Sequence, residues 1–191
     1  MFAPSLPRRR DGIRLALLPD RRGAVLVEFA LIAAPFLALM FAILQTSLAY
    51  LAQEALETAV EVAARGIVTG QTQAADVAGK STGMTRAQLA ERFRTRGCQA
   101  LPSFLSCSRL FVDVTSTSVG AVANGAPPLT FDGAGKITNL SYDTGSQGAL
   151  VTVRFIYLWP MPIAPTATMS PLGKSPTILI ATSVSKTEAY L

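Results

Sequence analysis

Between Glu28 and Glu54 the chain carries no charged residue, and the run that fills the gap, FALIAAPFLALMFAILQTSLAYLAQ, is apolar almost throughout. As a helix rising 1.5 Å per residue, about 25 residues outreach the roughly 30 Å hydrocarbon core of a bilayer, so a transmembrane helix over about residues 27–52 is expected. Arg8, Arg9, Arg10, Arg14, Arg21 and Arg22, against Asp11 and Asp20, place most of the net charge of +5 ahead of that run. Under the positive-inside rule this leader stays cytoplasmic and the C-terminal bulk lies across the membrane. The basic charge then serves orientation and gives no argument for a nucleic-acid partner. A conventional secretory signal has an apolar core of about 7 to 15 residues, far shorter than this one. The small-x-small site at Ser47-Leu48-Ala49 lies too deep in the run to be its cleavage site.

Glu28 sits just inside the apolar run, where a carboxylate costs up to about 2.5 to 3.5 kcal/mol at mid-helix and less near the interface. Either it snorkels or is protonated near the headgroups, or it has a partner. Ala30, Ala34, Ala38 and Ala42 recur every fourth residue, forming a small-residue stripe that lets two helix backbones approach; the alternative is alanine as ordinary filler of an apolar helix. Pro35 removes one backbone donor inside the span. Beyond the membrane the helix is expected to continue to Gly66 or Gly70. Glu54, Glu57, Glu61 and Arg65 share one polar face, and Leu48, Ala52, Ala55, Ala59 and Val62 form an opposite apolar line.

The remainder reads as a small extracytoplasmic domain over residues 67–191. A polar linker is expected around Thr69 to Gly83. Thr85-Arg86-Ala87-Gln88 then fits a capping box opening one short helix that ends before Gly97. Cys98 and Cys107 match neither a redox CxxC nor a zinc pair, and the chain has no histidine. In an oxidising compartment they read as a disulfide, with two unpaired buried thiols as the alternative. Alternation marks strands from Leu110 to Thr115, from Ala149 to Trp159 and from Thr177 to about Lys186. Between the first two, 118–148 is rich in Gly, Pro, Asn and Ser and reads as a long surface excursion with little fixed structure. Its Asp132 and Asp143 lack EF-hand spacing. The fold class is therefore α+β: a long N-terminal transmembrane helix leading into a domain with a short antiparallel sheet and one short helix.

Catalytic signals are weak. Without histidine there is no Ser-His or Cys-His pair, and Ser170 with Lys174 reads better as a turn around Pro171 and Gly173. No Gly-rich phosphate loop opens a soluble helix. Neither a catalyst, nor a resident metal, nor a cofactor is expected.

Arg21-Arg22-Gly23, four apolar residues, then Glu28-Phe29 resembles the processing site of type IV prepilins, and the chain as a whole resembles the TadE-like family, pilin-like proteins of the tight-adherence (Flp) pilus machinery. The later blocks CSRLFVDV, VTVRFIYLWPMPIAP and ATSVSKTEAYL share the likeness. The end departs from it, with Thr187-Glu188-Ala189-Tyr190 where an Asn-Glu-Pro-aromatic tail is expected. Related TadF proteins share the N-terminal plan. The resemblance implies a leader over residues 1–23, cleavage between Gly23 and Ala24 by a prepilin peptidase, and a mature helix over 24–66. It also implies pairing of the freed Ala24 ammonium with the Glu28 carboxylate of a neighbouring subunit. Other pilins and pilus assembly proteins would be the partners, the inner membrane the location before any export into a fibre. The rival is an uncleaved single-pass anchor whose periplasmic domain binds envelope components.

Overall fold

The computed structural model describes residues 23–118, 127–132, 137–160 and 177–189. The leader ahead of Gly23, Ser170, Lys174 and the last two residues lie outside them. The chain divides between Ser47 and Leu48 into two units.

In the first unit the described residues after Gly23 belong to helix α1 (Ala24–Val68), which contains Pro35. Its apolar side chains point outward: Leu26 is 74%, Phe29 70% and Ile32 73% exposed, so this surface is unusable in water and suited to lipid. Among the described residues α1 is the one helix long and apolar enough to cross a membrane, which suits it to serve as an N-terminal anchor. Thr46 and Ser47 donate their hydroxyls to the carbonyls of Ala42 and Ile43, so neither polar group is left bare in the run.

The second unit takes in the rest of α1, then α2 (Gln71–Ser81), α3 (Arg86–Gln99), a 3-10 turn (Cys107–Arg109), β1 (Leu110–Thr117), β2 (Leu150–Trp159) and β3 (Thr177–Lys186). The three strands form an antiparallel sheet in the order β1-β2-β3. The expected α+β class is the one observed, with two short helices instead of one.

Along α1 the buried positions are Ala52, Leu56, Ala59, Val60, Ala64 and Ile67. The expected apolar line shares Ala52 and Ala59 with them, but Leu48 and Val62 are 51% and 58% exposed. At about 100° per residue the buried set centres near Leu56 and Ile67, and the expected line runs along one edge of that stripe, leaving Val62 on the far side. Glu54, Glu57, Glu61 and Arg65 are exposed as expected. The helix ends through Gly70, whose φ of 76° only glycine adopts readily and whose N–H bonds the Ile67 carbonyl.

The expected linker after Gly70 is largely helix α2. Its inward face is Thr72, Gln73, Asp76 and Gly79, all buried. Helical spacing is present but carried by polar residues and a glycine, so hydropathy does not display it. Buried Asp76 accepts from Arg92 Nη2 at 2.8 Å and from Tyr142 Oη at 3.0 Å, while Gln73 Nε2 donates to the Thr144 carbonyl.

Helix α3 opens on the Thr85–Gln88 capping box, with both reciprocal bonds made. It runs past Gly97 to Gln99 because Gly97 makes a close approach and does not terminate the helix. A Cβ there would lie 2.7 Å from Phe155 Cε2 and nearer still to Cζ, and Phe155 is fully buried on β2. Gly97→Ala should therefore destabilise the protein by about 1 to 3 kcal/mol, overriding the helix preference of alanine. The midpoint of chemical denaturation in detergent checks this, and an unchanged or raised midpoint contradicts it.

Cys98 and Cys107 are joined in a disulfide, Cα to Cα 5.7 Å, tying the end of α3 to the turn before β1. Closing so short a loop contributes up to roughly 3 kcal/mol in the chain-entropy picture.

One face of the sheet, with Val112, Val114, Val151, Val153, Phe155 and Tyr157, joins Leu56, Ile67, Leu89 and Phe93 of the helices in the main core. The other face is also covered at its centre, where Asp113 and Arg154 stand directly opposite one another and are buried. What covers it is part of the excursion expected to lack fixed structure. Arg154 donates to the Pro127 carbonyl, and Ser141 donates both its N–H and its hydroxyl to Asp113. Val114 exchanges backbone bonds with Ser141 and Asp143, and Tyr142 enters the core against Phe93. Residues 137–148 are thus a packed component of the head.

Candidate processing site at the start of an apolar helix

Gly23 directly precedes α1, and a side chain built on it would meet no atom within 4 Å. Ala24 is the first helical residue, and Glu28 stands one turn further on, a rise of about 6 Å. Gly23, Ala24, Glu28 and Phe29 are all exposed. Among the described residues nothing crowds the backbone at the start of the helix. A glycine there leaves the backbone uncovered, and the carboxylate one turn away lies within reach of any cation placed at the helix start.

The four alanines of the stripe, Ala30, Ala34, Ala38 and Ala42, lie along one line of α1 and are exposed. The two cysteines are brought together in the other unit.

Hydropathy and spacing did not reveal the polar groups of the head. Tyr142 is one: burial, with the charge of Asp76 beside it and the hydrogen bond to it, holds its hydroxyl well above the ordinary tyrosine range, so it remains a donor. Arg94 clamps Glu91 with two N–H donors and bonds the Cys107 carbonyl. That hydrogen bonding lowers the carboxyl pKa of Glu91. An open groove of about 610 Å³ runs beside this pair, lined also by Arg86, Phe111, Leu140 and Tyr142. Among the described residues, no three or more His, Cys, Asp or Glu side chains cluster as metal ligands would. Asp143, named above for its spacing, accepts from Ser116 Oγ and from the Gly145 N–H, which is the geometry of a turn.

No curated protein and no solved structure matches the chain. The family model described as TadE-like protein matches residues 23–65, from Gly23 to Arg65, the last polar position of α1's exposed face. Residues 23–65 of this chain are thus similar to the TadE-like family.

Proposed function

We propose that this chain is a minor pilin or pseudopilin of a tight-adherence pilus, cut after Gly23 by a prepilin peptidase and needed for pilus assembly and adhesion. It is a substrate and a building element rather than an enzyme. The observation that carries the reading is the coincidence, inside a TadE-like segment, of an unobstructed Gly23 at the helix start with Glu28 one turn into an exposed apolar helix. Cleavage there frees the Ala24 ammonium. In lipid, that charge and the Glu28 carboxylate of a neighbouring subunit offset one another, each being costly alone. The head then lies in the periplasm, on the side opposite the basic leader.

Glu28→Gln separates this reading from the uncleaved anchor. Removing a charge from the span leaves insertion as good or better, and the cut lies upstream of the change. The variant should be inserted and processed, yet fail to assemble into pili. Piliation at the wild-type level would favour the anchor.

A further inference from the structure

We propose that one end of the head, centred on Trp159, seats in the headgroup region of the bilayer that α1 crosses. This rests on the reading of α1 as a membrane span, and every residue used lies between positions 48 and 189. Gln53 Nε2 donates to the Ile180 carbonyl at 3.1 Å, and the Glu188 N–H donates to the Val68 carbonyl at 3.0 Å. The chain from Gln53 to Val68 and the chain from Ile180 to Glu188 therefore run side by side in the same direction. Their lengths agree, about 22 Å of helix against about 26 Å of strand. The end of the sheet where β2 finishes and β3 begins is then the end at which the chain arrives from its apolar run.

Among the described residues, that end carries partly exposed aromatic and apolar side chains beside the exposed Arg109 of the 3-10 turn. Trp159, opposite Thr177 in the register, is partly exposed, as are Leu158 and Ile178. Phe104 is 52% exposed on the loop closed by the disulfide, which the Ser106 N–H fastens to Tyr157 Oη. On α1, Tyr50 is 70% and Leu51 54% exposed, two to three residues ahead of the Gln53 that bonds Ile180. The exposed charges Glu54, Glu57 and Glu61 begin just beyond it, and Lys186 stands at the far end of β3. Indole and phenol rings with an apolar body and a polar atom favour the boundary between acyl chains and headgroups. The apolar run that leads directly into Gln53 in the sequence selects lipid as the occupant of this rim.

Trp159 is the sole tryptophan, so its fluorescence reports on one place. The full chain is reconstituted in phosphatidylethanolamine–phosphatidylglycerol vesicles, with and without lipids brominated on the acyl chain close to the headgroup. The rim should lie within the roughly 5 to 10 Å boundary layer, so about half or more of the emission should be lost to bromine. The same loss is expected when the reporter is moved by Trp159→Phe with Phe104→Trp. It should vanish for Trp159→Phe with Val184→Trp, which places the reporter about 20 Å along β3 from Ile178. Flotation of the vesicles and resistance to carbonate extraction test the span separately. A chain that floats and resists extraction with unquenched Trp159 overturns the seated rim alone, and a chain that fails both overturns the span and the rim together. The wild-type measurement decides even if a variant fails to fold.

Discussion

Asp113→Ala should destabilise the head by about 3 to 5 kcal/mol, a loss large enough to unfold a domain of ordinary stability. Asp113 is 1% exposed and lies directly across from Arg154 on the outer face of the sheet, its Oδ2 accepting from Arg154 Nε at 3.0 Å and Nη2 at 2.6 Å. Its other oxygen accepts both donors of Ser141. Removing the carboxylate strands a buried guanidinium that, among the described residues, keeps the Pro127 carbonyl, and it removes the side-chain anchor of Ser141 on β1. The double change Asp113→Leu with Arg154→Met should be far milder, because no charge is then left buried without its partner. Chemical denaturation of the detergent-solubilised chain, followed by Trp159 emission, reads both. A loss under about 1 kcal/mol for Asp113→Ala would show that the pair is effectively solvated and contradict this picture.

The Asp113–Arg154 pair also shows where hydropathy and spacing stop being informative. The long helix, the three strands, the capping box and the disulfide were legible because each leaves a local mark: an uncharged run, a period of two, a Thr-x-x-Gln, two cysteines. Helix α2 was not, since its buried face is Thr72, Gln73 and Asp76, whose partners Thr144, Arg92 and Tyr142 come from elsewhere in the chain. Arg154 within β2 looked like an outward residue by alternation, and it is buried only because the excursion folds back over it. Gly97 looked like a helix end because glycine's two uses, ending a helix and admitting a neighbour, are identical in sequence; the ring of Phe155 decides between them. At the candidate processing site the reverse holds. Gly23, Ala24, Glu28 and Phe29 are consecutive or one turn apart, so a purely local motif contains the whole site.

Gly23→Val should abolish processing while leaving the fold intact. The second half of that expectation follows from the structure, since a side chain at position 23 meets nothing within 4 Å and no buried group lies nearby. The first half follows from proteolytic chemistry: a scissile peptide has to enter the protease in extended form, and a β-branched residue next to it both stiffens the backbone and fills space that glycine leaves open. The variant should accumulate in the membrane as a precursor retaining its leader, with the same denaturation midpoint as an uncut wild-type chain. Normal processing of Gly23→Val would show that the glycine does not define the cut. A precursor that is also unstable would point to a folding role for Gly23 that its open surroundings do not support.

Cleavage at one peptide bond is the central claim, and the intact mass and N-terminal sequence of the wild-type chain purified from its native membrane test it most directly. The account predicts a mature chain beginning at Ala24, with residues 1–23 absent and the Cys98–Cys107 disulfide in place. A chain from the same membrane that still carries its leader would contradict the pilin reading and favour the permanently anchored envelope protein.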